Sequence, residues 1–168
     1  MAGWNHLNIS IVRTDYRNSK HAQALIAVLD SYARDDMGGG EGLSEAVKQH
    51  LPEALAARAH AFSVLAFDGE TPVGLINCFE GFSTFAAKPL VNIHDVAVLP
   101  EYRGQGIGQL MMAEVERIAA ERGCCKLTLE VLSENHGAQA LYKKLGYGGY
   151  QLGSISGAAE FWQKKLGY

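Results

Sequence analysis

The sequence predicts an α/β fold, a mixed sheet with helices packed on it, and three observations carry that expectation. Apolar residues change period along the chain, from helical spacing before residue 58 to strand alternation from Ala61. Asp68-Gly69 is a tight-turn pair between two apolar runs, the mark of a β-hairpin. Beyond the hairpin the order becomes strand, glycine-rich loop, helix, strand, helix, strand, a block that lays helices against the sheet.

At the start, Leu7, Ile9 and Ile11 alternate with Asn8, Ser10 and Val12 as a first strand, and Thr14 or Asp15 is placed to cap the next helix. Ala22, Leu25, Ile26, Leu29, Tyr32 and Ala33 fall at helical spacing, and Gly38-Gly39-Gly40 ends that helix in a flexible joint. Residues 44–58 read as helix with an interruption near Pro52, which has no N–H to donate. A strand from Ala61 and a second over residues 71–79 make the hairpin, and residues 82–89 connect it to a strand over 90–98. In the next helix Met111, Val115, Ile118 and Arg122 keep one spacing, Leu110 and Ala113 widen the apolar face, and Gly123 marks the stop. Residues 126–132 alternate as a strand, a short helix spans 135–145 and ends at Gly146, and residues 147–152 and 160–166 read as last strands.

The 168 residues, 48% hydrophobic and 20% charged, suit one domain over 1–168 with a sizeable core. A net charge of -3 argues against a general nucleic-acid or anionic-membrane partner, since both need a broad basic face. Of three cysteines, Cys124 and Cys125 are adjacent and Cys78 stands alone in an apolar run, so no disulfide framework or metal-ligand motif is visible. With no signal-like N-terminus and no run approaching a membrane span, a cytoplasmic protein is expected.

The most informative stretch is Arg103-Gly104-Gln105-Gly106-Ile107-Gly108, where an apolar strand ends and a helix opens. Glycines let the backbone approach a ligand, and the unpaired amides of a first helical turn attract an anion. A nucleoside-triphosphate loop needs lysine and a hydroxyl residue after its last glycine, whereas Gln109 and Leu110 stand there in this chain. A dinucleotide fingerprint needs Gly-x-Gly-x-x-Gly, and the glycines stand at 104, 106 and 108, although Glu130 mimics the acidic ribose partner of that fold.

The run Val98-Leu99-Pro100-Glu101-Tyr102-Arg103 and the glycine loop together resemble the signature of the GCN5-related N-acetyltransferases (GNAT). Asn135, Ala138, Leu141, Tyr142 and Leu145-Gly146-Tyr147 resemble that family's downstream helix and strand. The resemblance is sharp over residues 93–147 and implies a mixed, mostly antiparallel sheet flanked by helices. It also implies acetyl-coenzyme A as donor cosubstrate, a primary amine of a small molecule or peptide as acceptor, and direct transfer in a ternary complex. A homodimer is consistent with the family.

Such a reaction needs a pyrophosphate cradle, a grip on the thioester, a route for the amine proton and a donor to the departing thiolate. Backbone amides of Arg103, Gly104, Gln105, Gly106, Ile107 and Gly108 are candidates for the cradle. By resemblance, backbone groups of Val96, Ala97 and Val98 grip the acetyl carbonyl and pantetheine, with a strand N–H aimed at the developing oxyanion. Asn135, Ala138 and Tyr142, at i, i+3 and i+7, share one helix face suited to a pantetheine arm. By resemblance Tyr142 is the general acid and Asn135 a cofactor contact.

His94 and Asp95 interrupt an apolar strand and need partners or water there. Strict alternation puts His94 with Val96 and Val98 on one face and Asp95 with Ala97 on the other, so at most one can face a given site. An imidazole is the side chain suited to proton transfer near neutrality, while Asp95 is suited to a cationic substrate. The general base is therefore His94, Asp95 or a water held by them. Phe82 and Phe85 are candidates for an acceptor pocket, and Lys143 and Lys144 for a solvated helix face. Cys124 and Cys125 lack a neighbouring base and read as structural. A non-catalytic acyl-coenzyme A sensor or interaction module is the competing reading, and the retained Tyr142 and His94-Asp95 pair favour the enzyme.

Overall fold

Five strands form one sheet in the order β1-β2-β3-β4-β5: Ile9–Arg13, Ala61–Asp68, Thr71–Ser83, Lys88–Val98 and Leu127–Leu129. The computed structural model describes residues 7–149 and 161–166. Pairing is antiparallel from β1 through β4 and parallel between β4 and β5. Four helices accompany the sheet: α1 Ser19–Arg34, α2 Glu45–Ala56, α3 Ile107–Glu121 and α4 His136–Lys144. The chain forms two compact units, Met1–Leu132 and Ser133–Tyr168, the second containing α4.

The hairpin expected at Asp68-Gly69 forms, with Gly69 at φ +56. The connection expected over 82–89 is shorter, because β3 and β4 keep pairing out to Ser83 opposite Lys88. Leu75 of β3 and Ala97 of β4 pack with Leu25 and Val28 of α1 and Leu55 of α2. Neighbouring Gly74 faces the other way, where an added Cβ would meet the Met111 side chain of α3 at 2.8 Å. Consecutive strand residues point to opposite faces, so α1 and α2 cover one side of the sheet and α3 the other.

Several local expectations are corrected. The α1 cap is Asn18, whose side chain accepts from the amides of Lys20 and His21. Asp15 instead accepts from the Arg17 amide, and the Thr14 hydroxyl is buried without a partner. Pro52 does not interrupt α2, because the proline removes only its own bond to the Lys48 carbonyl. Lys48 and Pro52 line an open groove with Ala22, Ile26 and Asp30. On α3 the buried set is Ile107, Met111, Met112, Val115, Ile118 and Ala119, while Leu110 and Ala113 are exposed. The strand expected over 126–132 keeps only Leu127–Leu129, and residues 147–149 and 161–166 are not in strands. The remainder of those two expected last strands lies outside the described residues.

Helix ends coincide with their glycines. Gly123 at φ +69 closes α3, with Gly123 N bonding the Ala120 carbonyl and Cys124 N bonding Ala119. Gly146 at φ +89 closes α4 in the same way, through Gly146 N to Lys143 and Tyr147 N to Tyr142.

Candidate functional site

β4 changes character at His94. Ile93 pairs with Cys78 and Asp95 with Asn77, so two residues of β4 span one step of β3 and His94 is the extra one. The bulge cancels the expected alternation. The His94 ring meets Phe79 edge-on at 5.5 Å between centroids, and Asp95 Oδ2 accepts from Asn77 Nδ2 at 3.0 Å. Phe79 and Asn77 are two apart on β3 and share a face, so His94 and Asp95 lie side by side on the α1 and α2 face. Val96 turns to the opposite side, and Ala97 is buried beside Leu75.

The same bulge opens the sheet edge. β5 pairs with β4 only at Val91, Asn92 and Ile93, and the last pair is Ile93 with Leu129. Beyond it, residues 94–98 of β4 have no strand on the β5 side among the described residues. Backbone groups of Val96, Ala97 and Val98 thus sit where two parallel strands part, a position open to an extended ligand.

A short 3-10 turn, Pro100–Tyr102, leads from β4 into the glycine loop. Gly104 and Gly106 stand at φ +74 and +83, values that disfavour any residue with a Cβ. A Cβ built on either meets nothing within 4 Å, so the backbone of the loop is open to an approaching ligand. Gly106 is the N-cap of α3 and brings no side-chain acceptor, and the first intrahelical bond is Leu110 N to Gly106 O. The amides of Ile107 and Gly108 therefore have no intrahelical acceptor and lie at the positive end of the helix. This donor set fits a pyrophosphate.

Side chains of the loop hold its shape. Arg103 Nε donates to the Val98 carbonyl at 2.9 Å and its Nη2 to Asp35 Oδ2 at 2.7 Å, while Gln105 Nε2 donates to the Glu101 carbonyl at 3.0 Å. Asp35 also accepts from the Met37 amide, and its carboxyl is held below the usual value, first by the Arg103 hydrogen bond and then by that amide. Tyr32, at the end of α1, has its phenol pushed up by burial and then by the charges of Asp95 and Asp35. No local pattern in the sequence points to the Arg103–Asp35 pair, which joins residues 68 apart.

In the second unit, Asn135 is the N-cap of α4, its Oδ1 accepting from the Ala138 amide at 3.1 Å. The helix proper therefore starts at His136, and Asn135 precedes it as a capping residue. Tyr142 is 7% exposed, with its ring 5.9 Å from that of Tyr147. Lys143 and Lys144 are exposed. At the β3–β4 hairpin Phe82 and Phe85 are 62% and 99% exposed. Cys78 is buried, and burial pushes its thiol well above the ordinary value. Among the described residues no group of three His, Cys, Asp or Glu is arranged to hold a metal, and no helix is long and apolar enough to cross a membrane.

Residues 40–147 match the model of the acetyltransferase (GNAT) family. A thialysine N-epsilon-acetyltransferase of Bos taurus is 40% identical over 78 residues, which span 46% of this chain and 45% of that protein. One from Caenorhabditis elegans is 27% identical over 128 residues, 76% of this chain and 77% of that protein. This chain thus spans less than half the length of the bovine relative. Among solved structures, a probable acetyltransferase superposes with a TM-score of 0.76 at 18% identity, covering 93% of this chain and 99% of that one. The aminoglycoside N-acetyltransferase AAC(6')-Iy in complex with CoA gives 0.72 at 18% identity, covering 95% and 97%.

Proposed function

The chain belongs to the acetyltransferase (GNAT) family, and we propose that it transfers the acetyl group of acetyl-coenzyme A to a primary amine by direct transfer in a ternary complex. The observation that carries this reading is a coincidence of place. The β4 bulge turns His94 and Asp95 to one face, the β4–β5 edge opens at the same residues, and the glycine cradle comes directly after the end of β4. The matched region, residues 40–147, runs across both compact units, which supports treating them as one domain.

Acetyl-coenzyme A supplies an acyl carbon activated as a thioester. The amides of the glycine loop hold its pyrophosphate, at about 1.5 to 3 kcal/mol for each hydrogen bond to a charged acceptor. Backbone groups of Val96, Ala97 and Val98 hold the pantetheine and acyl oxygen along the open edge of β4. Asp95 receives the cationic amine, and His94, the exposed member of the pair, takes one proton from it to free the nitrogen lone pair; a second N–H proton is lost to water as the nitrogen bonds the acyl carbon and the C–S bond breaks. By the family resemblance alone, Tyr142 is the proposed donor of a proton to the departing sulfur, and Asn135 and Ala138 are the proposed pantetheine contacts.

The relatives named for thialysine make an aliphatic amine the first acceptor to try. The test is mass spectrometry of products after incubation with acetyl-coenzyme A and thialysine, a polyamine, an aminoglycoside or a peptide. Acetylation of at least one amine by the wild type, and its loss in Tyr142→Phe and His94→Ala, is the expected result. Acetyl-coenzyme A binding without any acetylated amine supports the sensor reading instead.

A further inference from the structure

Ser63, Asn77 and Asp95 are register partners on three successive strands, Ser63 opposite Asn77 and Asn77 opposite Asp95. Ser63 is 0% exposed and Asn77 4%, and they share a sheet face with Ala61, Leu65, Leu75 and Ala97 of the apolar core. Polar groups so placed destabilise the fold unless each finds a partner. Ser63 Oγ donates to Asn77 Oδ1 at 2.6 Å, and Asn77 Nδ2 donates to Asp95 Oδ2 at 3.0 Å. The Tyr16 hydroxyl lies 2.8 Å from Ser63 Oγ. Ser63 has one proton, already given to Asn77, so Tyr16 is the donor in that pair.

Every bond in this row points the same way, from the phenol of Tyr16 to the carboxylate of Asp95. Aligned hydrogen bonds polarise one another, so the row presents Asp95 with a stronger donor than an isolated amide. An apolar trio at these positions would fill the sheet without any pairing requirement, and polar side chains at all three register partners have their explanation in the carboxylate on which they end. Asp95 sits at the bulge, where the backbone is locally irregular and gives the side chain least guidance.

We propose that Asn77, backed by Ser63 and Tyr16, is a positioning residue that fixes Asp95 by Oδ2 and leaves Oδ1 to meet the acceptor amine beside His94. This rests on the acetyl-transfer reading for its catalytic consequence, while the hydrogen bond itself does not. Asn77 touches no substrate in this scheme. It acts through Asp95.

A double-mutant cycle with thialysine as the acceptor tests the consequence, with Asn77→Ala, Asp95→Ala and the double variant compared for kcat/KM and for acetyl-coenzyme A affinity. Asn77→Ala is expected to lower kcat/KM for thialysine about tenfold, the scale of one hydrogen bond to a charged group, with cofactor affinity unchanged. In the Asp95→Ala background the same substitution is expected to have no further effect. An equal loss in both backgrounds overturns the proposal and makes Asn77 a packing residue. A second arm is independent of turnover: the side-chain amide signals of Asn77 in a 15N-labelled protein shift and exchange faster in Asp95→Ala. Unchanged Asn77 signals overturn the proposal, whereas failure to acetylate thialysine counts only against the acceptor reading and leaves these signals to decide the positioning.

Discussion

Arg103 and Asp35 bind each other at 2.7 Å, Nη2 to Oδ2, across 68 residues of sequence. The pair ties the glycine loop to the end of α1, the helix whose Tyr32 senses the charge of Asp95. The glycine loop is thereby held to the segment that follows α1.

The pair predicts an acid limb in stability. Asp35 has a carboxyl depressed in the folded state, so its contribution is present above the unfolded value of about 3.9 and is lost as pH falls through the lower folded value. Melting temperatures from pH 7 to pH 2.5 are expected to fall less steeply for Asp35→Asn than for the wild type below about pH 4. At pH 7 the variant should lose at most about 1 kcal/mol, because Arg103 is 49% exposed and solvent screens the pair. Parallel acid limbs contradict the assignment.

Gly106→Glu places bulk and negative charge in the cradle, where Gly106 stands at φ +83. Loss of two hydrogen bonds to the pyrophosphate, at about 1.5 to 3 kcal/mol each, corresponds to at least about a hundredfold in affinity. Calorimetric titration with acetyl-coenzyme A measures it, and circular dichroism checks that the variant is folded. Unchanged affinity in a folded variant removes the loop from the cofactor site.

Gly74→Ala tests the sheet–α3 contact. Its new methyl would lie 2.8 Å from Met111 Cε and 3.3 Å from the Ala66 Cβ, and Met111 is fully buried. Overpacking of this kind costs about 1 to 3 kcal/mol, read as a lower denaturation midpoint at an unchanged slope. A neutral result means that Met111 finds another rotamer at no cost.

Tyr142→Phe and His94→Ala each remove one of the proposed proton-transfer groups, and a loss of about 10² to 10⁴ in kcat is expected for each. His94→Ala should also alter the acidic limb of the pH–rate profile. An unchanged limb transfers the role of base to Asp95 or a water.

Much of this architecture was legible because its signals are local. Asp68-Gly69, Gly123 and Gly146 act through their own backbone angles, and each ended or turned its element as its residue type dictates. The glycine loop was legible for the same reason. The bulge was not, because a bulge is a relation between strands: nothing in Ile93-His94-Asp95 says that β3 advances one residue while β4 advances two. That single displacement reversed the expectation that His94 and Asp95 face apart. It also explains why β5 stops at Leu129, since parallel pairing ends where β4 leaves the regular ladder.

Other misses have equally specific causes. Helical period alone does not choose between Leu110 and Met112 beside Met111, and the choice fell to the side that packs on the sheet. Asn18 competed with Thr14 and Asp15 as a cap, and won because the chain turns back only after residue 15, with Asn18 N bonding the Asp15 carbonyl. Ser63 and Asn77 are polar residues inside apolar strand runs, and each needs a partner that only the sheet register supplies.

Amine-dependent release of coenzyme A thiol from acetyl-coenzyme A is the measurement on which the proposed acetyl transfer stands. With thialysine, polyamine, aminoglycoside and peptide amines offered in turn, at least one is expected to raise thiol release well above the amine-free rate, and Gly106→Glu is expected to abolish the increase. Tight binding of acetyl-coenzyme A with no amine-dependent thiol release across all four classes would refute it.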